Sequence, residues 1–172
     1  GALSYLEAGS LVMQKQITNS KAKFTEAKLH LDKAWSRDWR GRALLACCFH
    51  REGNTDEAVK ALAGAESGGS AEPLFYAVWA YILNEAKRRD EALQVVGKGL
   101  KNNPKSAPLT AVRDAMANRK RPDFLAFGEG WYQFFPEQIP QEVLIEQARA
   151  AGKLPANFAA NNNRMTFPQP RR

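Results

Sequence analysis

One phrase recurs in this chain at a fixed distance, and it constrains the fold more than any other feature. Gly53-Asn54-Thr55-Asp56-Glu57-Ala58 and Lys87-Arg88-Arg89-Asp90-Glu91-Ala92 are its two versions, and their closing alanines stand 34 residues apart. Aligned on those alanines, other positions agree. Ala46 and Ala80 come before them, each preceded by a large apolar residue, Leu45 or Trp79, and followed by Phe49 or Leu83. Leu62 and Val96 come after, then the small Ala65 and Gly99. Small side chains let two helix axes cross closely while large ones fill the space beside them, so stacked helical hairpins require this alternation.

A unit of this length and pattern resembles the tetratricopeptide repeat, a helix, a tight turn and an antiparallel second helix. Phe24-Thr25-Glu26-Ala27 is an earlier version of the phrase, with Leu31 and Ala34 in register, although its alanine lies 31 residues before Ala58. Pro104 stands where that family places the proline that ends a repeat, and Trp39 and Ser70 hold the equivalent positions. The resemblance covers residues 8–118 and implies an all-α fold, a right-handed superhelix (α-solenoid) of antiparallel helix pairs. Its units would span 8–38, 39–72 and 73–106, with a half unit at 107–118.

Apolar spacing predicts helices over 2–18, 22–36, 39–52, 55–66, 73–86, 90–101, 107–118 and 140–151. Gly53 supplies a left-handed turn, Thr55, Asp90 and Ser106 are the expected helix caps, and Ser67-Gly68-Gly69-Ser70 reads as a break. After Asn118 the phrase does not return. Arg119-Lys120-Arg121-Pro122 stands in its place, followed by an aromatic run with Phe124, Phe127, Trp131, Tyr132, Phe134 and Phe135. The last apolar face of a solenoid has to be covered, so segment 119–152, which includes the final helix, is expected to act as a C-terminal capping segment. The competing reading of its rings is an exposed docking patch. The basic tail 153–172 has the composition of a flexible segment.

At 172 residues and 44% apolar, the chain suits one domain with a core of its own. The 25 Lys and Arg against 18 Asp and Glu give a formal charge of +7, which raises nucleic acid or an anionic surface as a partner. The plainer reading is a solvated helical surface. Cys47 and Cys48 are neighbours, about 100° apart on a helix, and cannot readily bridge. Without a further cysteine there is no disulfide framework, which points to a reducing, cytoplasmic location. Cys-Cys-Phe-His at 47–50 lacks a second ligand pair, so neither a metal nor any other cofactor is expected. No stretch approaches the roughly 18 apolar residues that span a membrane. The chain does not begin with methionine, which leaves open a removed signal or anchor.

No glycine-rich phosphate loop, serine elbow or isolated carboxylate pair is present, and the expectation is a non-enzyme. His30 and His50 read as surface or edge residues. The family resemblance implies instead a concave groove lined by the first helix of each unit: Arg40, Ala43, Cys47, His50 and Arg51; Leu74, Ala77, Tyr81, Asn84 and Glu85; Ala111, Ala115, Asn118 and Arg119. The expected role is a scaffold or adaptor that binds a peptide segment or partner protein. Tyr81 would serve as the apolar anchor and Arg40, Arg51 and Arg119 would draw acidic residues, with His50, Asn84 and Asn118 beside them. Ala43 and Cys47 do not match the carboxylate clamp of the chaperone-binding members of the family. One alternative is a basic surface, Lys87-Arg88-Arg89 with Arg119-Lys120-Arg121 and the tail, for nucleic acid or anionic lipid. Another is a structural subunit that self-associates as a homo-oligomer.

Overall fold

The computed structural model describes Glu26 and residues 38–150. The expected helices over 2–18 and 22–36, and the tail, lie outside the described residues. All regular structure among the described residues is helical. In chain order the helices are α1 (Trp39–Arg51), α2 (Thr55–Ala63), the short α3 (Glu66–Gly69), α4 (Pro73–Glu85), α5 (Arg89–Asn102), α6 (Ala107–Ala117), the short α7 (Glu129–Tyr132) and α8 (Gln141–Ala150). Turns of 3-10 helix lie at Leu125–Phe127 and Pro136–Gln138.

Local chemistry accounts for the starts. The Asp38 carboxylate accepts from the Arg40 N–H at 3.3 Å ahead of α1, Pro73 takes the first turn of α4, and the Ser106 hydroxyl accepts from the Leu109 N–H at 3.4 Å ahead of α6. The ends of α1, α4 and α6 are one structure made three times. Gly53, Lys87 and Arg119 take left-handed φ angles of 82°, 64° and 56°. Their N–H groups return to His50, Asn84 and Met116, and the next N–H groups, of Asn54, Arg88 and Lys120, return to Phe49, Leu83 and Ala115. This is the double closure that satisfies orphan carbonyls at a helix C-terminus. Only the first uses glycine, and Lys87 and Arg119 adopt the left-handed form at about 1–2 kcal/mol each.

The period therefore continues in the backbone through α6, beyond the last copy of the phrase. What fails there is the second helix. Thr55 and Arg89 begin α2 and α5 directly after the turn. The equivalent residue after Lys120 is Arg121, and Pro122 follows it. A residue before proline is driven out of the α region, so the helix does not restart.

Three expectations need correction. Thr55 is the first residue of α2 rather than its cap, and Asn54 ahead of it makes no side-chain cap bond. Asp90 lies inside the first turn of α5, after Arg88 in the cap position, where its charge acts on the helix dipole. The sequence from Ser67 to Gly69 does not simply break the chain: α2 ends at Ala63 and these residues form α3. A Cβ on Gly69 would come within 2.5 Å of the Phe75 ring, so glycine is needed there for close approach.

α1 packs on α2, α4 on α5 and α5 on α6, while α4 also packs on α1 and α2. Because the turns after α1 and α4 are only a few residues long, each pair is antiparallel. The aligned positions Leu45, Ala46, Ala58, Leu62, Trp79, Ala80, Leu83, Ala92 and Val96 are all buried. Gly99 marks a close crossing of α5 on α4, where a Cβ would lie 2.7 Å from Cγ of Tyr76. Side chains then tie one hairpin to the next: Arg88 to Asp56 at 2.7 Å, Lys98 to Glu66 at 3.2 Å, and the Asn103 amide to the Ser70 carbonyl at 3.3 Å.

One compact unit closes at Gln138 and a second begins at Ile139. In the second, α8 starts one residue after the predicted 140 and half-buries Val143, Leu144, Ile145 and Ala148. No helix among the described residues is long and apolar enough to cross a membrane.

Candidate functional site

The first helices form a surface, and the aromatic segment lies on it. Tyr81 of α4 is the centre. Its ring meets Phe124 and Trp131 edge-on at 5.3 Å each, and Phe135 at 4.4 Å. Phe124 stacks on Trp131 at 5.1 Å, and Phe127 approaches the same indole at 6.4 Å. Phe134 stacks on Trp39 of α1 at 6.2 Å. Phe124, Trp131, Phe134 and Phe135 are buried, and Phe127 and Tyr132 pack half-buried against the same core. The backbone follows closely enough that a Cβ on Gly130 would lie 2.9 Å from the Leu74 side chain.

Polar groups fasten the far end. The Trp131 indole donates to the side-chain Oε1 of Gln138 at 2.9 Å, and the Gln138 Nε2 donates to the Tyr81 hydroxyl at 2.8 Å. Arg51 forms an ion pair with Glu137, and its guanidinium lies 5.5 Å above the Phe135 ring. The pair is largely withdrawn from water, with side-chain exposures of 12% and 26%, so removing one partner costs more than at a surface pair, because the other charge is left without compensation.

This environment shifts two titratable groups. Burial, helped by Glu85 and Glu137 and opposed by Arg51 and the Gln138 bond, pushes the Tyr81 phenol up to about 12. It therefore stays neutral and remains a hydrogen-bonding group. His50 meets the Tyr81 ring edge-on at 6.0 Å. Burial first, and then the Arg51 charge, hold its imidazole below the usual range against a smaller opposing effect of Glu85.

The structure thus gathers His50, Arg51 and Tyr81 into one cluster under the segment. Ala43, Cys47 and Ala77 are fully buried, and neither Cys47 nor Cys48 forms a disulfide. Asn84 and Glu85 line an open pocket of about 510 Å³, shared with Arg121, Pro122, Asp123, Leu125 and the cluster residues Tyr81, Phe124 and Gln138. Arg40 is exposed, with its guanidinium 4.8 Å above the Trp39 ring. Asn118 and Arg119 lie at the end of α6, exposed and outside the lining of that pocket; the Asn118 amide donates to the Asp114 carbonyl at 2.8 Å.

Glu137 and Gln138 are the members of the cluster that the sequence reading passes over. Arg51 is expected to draw an acid from a partner, and the acid it draws is in its own chain. The available signal was the acid and amide directly after the aromatic run and Pro136. No protein-family model, no curated protein and no solved structure matches this chain.

Proposed function

We propose that the chain is a non-catalytic protein-binding module of the tetratricopeptide type, a scaffold or adaptor. Its helix pairs wind into a right-handed α-solenoid, with the aromatic segment seated on the surface of the first helices. Support for the architecture comes from the helix ending that recurs at Gly53, Lys87 and Arg119, and from inter-hairpin bonds joining residues 32 and 33 apart. The observation that carries the binding function is that the surface of the first helices takes an irregular, aromatic-rich stretch of polypeptide. It does so through an aromatic cradle on Tyr81 and one acid on Arg51. Those are the ingredients of peptide recognition, a ring-lined hydrophobic anchor with a charge fixing register.

The part of the groove left open is the pocket beside Asn84, Glu85 and Asp123. Leu125 on its rim is 40% exposed. Glu85 and Asp123 outnumber the one cation of the same lining, Arg121, and two acids next to an apolar rim suit a partner segment in which a basic residue stands beside an apolar one. Selecting binders from a random peptide library against the full chain tests this. The expected result is an enriched basic–apolar motif whose binding weakens at least about tenfold, or roughly 1.4 kcal/mol, in an Asn84→Ala/Leu125→Ser variant of unchanged helicity. No enriched peptide, or equal binding by the variant, counts against the reading.

A second reading has one observation in its favour. The Arg89 guanidinium donates to the Met116 carbonyl, which sets Lys87 and Arg89 beside Arg119-Lys120-Arg121, while Arg88 is held by Glu91 and Asp56. Such an edge suits the phosphates of nucleic acid or anionic lipid. Retention on heparin at low salt should then fall steeply as salt rises, and absent retention removes the idea.

A further inference from the structure

The aromatic segment is joined to the groove it fills by residues 118–123, and this connection does little to hold the two together. Its residues are exposed except for the half-exposed Pro122. The N–H groups of Arg119 and Lys120 turn back onto α6, while Asp123 accepts from the Leu125 N–H at 2.9 Å, within the segment's own start. Between the later part of the connection and α4 lies the pocket of about 510 Å³, so Arg121 to Asp123 bridge a void instead of packing on the helix. The attachments come after it: Phe124, Trp131 and Phe135 on Tyr81, Phe134 on Trp39, Glu137 on Arg51 and Gln138 on Tyr81.

The fit between groove and segment is therefore independent of their belonging to one molecule. We infer that a second copy of this chain is a partner, with segment 124–138 of each copy seated in the Tyr81–Arg51 groove of the other. Reciprocal exchange about a two-fold axis keeps every ring contact, the ion pair and the hydrogen bonds of the closed monomer. It gives up only the local path of the connection.

Charge reversal separates the two arrangements. In Arg51→Glu the groove and its own segment both present an acid, and in Glu137→Arg both present a cation. Neither variant forms the ion pair within itself or with its own kind. In an exchanged heterodimer of the two, each groove meets the complementary segment. The full-length variants are unfolded in denaturant, mixed and refolded, and their mass is read by light scattering. The expected result is twice the monomer mass for the mixture at a concentration where either variant alone is monomeric. The wild-type chain should move from monomer to twice that mass as the refolding concentration rises. A mixture that keeps monomer mass at every concentration, with its helical circular dichroism intact, overturns the proposal. If the variants fail to fold, the wild type decides: a dimer that forms on refolding at high concentration but not on concentrating the folded monomer supports it, whereas monomer mass throughout, or equal doubling by both routes, overturns it. Doubling that persists unchanged in each folded variant alone also overturns it, because another surface would then join the copies.

Discussion

Helix α5 and the aromatic segment both cover α4, and they do so by opposite means. α5 satisfies its own backbone, so its contact side can be small and repetitive: Ala92, Val96 and Gly99 lie close against its partner, with Gly99 under the Tyr76 ring. The segment has an irregular backbone, two 3-10 turns and one four-residue helix, with Gly128 at φ 65° and ψ −145°. It gains its hold from large rings and from polar ties at its far end. Periodic covering can be built from alanine and glycine. Aperiodic covering needs tryptophan and phenylalanine.

The sharpest way to test this difference is Trp131→Ala. The indole is fully buried among four other rings and bonded to Gln138, so truncation should cost about 3–5 kcal/mol. Near-ultraviolet dichroism should report loss of the aromatic cluster at lower denaturant than far-ultraviolet dichroism reports loss of the helices. Coincident loss would mean that segment and hairpins are one cooperative body, and the comparison would fail. Gly99→Ala probes the other side. A new methyl would meet Cβ and Cγ of Tyr76, atoms close to the backbone that cannot swing away, so a loss of about 1–3 kcal/mol is expected in both signals together. Next comes Glu137→Gln, which keeps shape and removes charge. It should cost about 1–2 kcal/mol, less than a fully buried pair because about a quarter of the Glu137 side chain remains exposed, and it should act on the aromatic signal first.

The same contrast explains what could be read from the sequence. Leu45, Ala46, Ala58, Leu62, Ala80, Ala92 and Val96 announced the hairpins because helix packing repeats its demands at every turn, and all of them are buried. The aromatic run was visible as a break in the period, but it was expected over the last apolar face, after α6, and its rings are seated instead on Tyr81 of α4 and Trp39 of α1. Its partners were not legible. Which ring meets Tyr81, and that Glu137 reaches Arg51, depend on a path through Pro122, Gly128 and Gly130 that no periodicity describes. The caps were half legible. Ser106 holds the N-terminus of α6 as its side chain predicts, whereas Thr55 and Asp90 are displaced by helices that begin on the residue directly after each closing turn. Lys87 and Arg119 show the reverse, a left-handed position imposed by the fold on residues that do not favour it.

Gly97 refines the periodic half of the comparison. It lies two residues from Gly99 on the same helix, yet a Cβ there would meet nothing within 4 Å. Gly97→Ala should therefore raise stability by about 0.5–1 kcal/mol through helix propensity, while Gly99→Ala lowers it. Equal signs for the two would show that crossing distance does not govern which small residues the repeat needs.

The smallest expected effect is on pH, and it belongs to the boundary between the two regions. His50 lies on α1 against Tyr81, beside Arg51, and its folded-state pKa is lowered from 6.5 by burial and then by that cation, with Glu85 opposing. Below that range the unfolded chain takes up a proton that the folded chain resists, so folding loses stability on acidification. The contribution is fully present above about pH 6.5 and disappears as the pH falls through the lower folded-state value. Because the imidazole touches Tyr81, protonation should loosen the aromatic segment before it affects the Gly99 crossing. The measurement is the denaturation midpoint, read from aromatic and helical signals between about pH 7.5 and pH 5, above most carboxylate titration. His50→Gln should flatten the aromatic curve over that window. An equal slope in the variant would place the proton elsewhere and separate His50 from the hold that the groove keeps on its own chain.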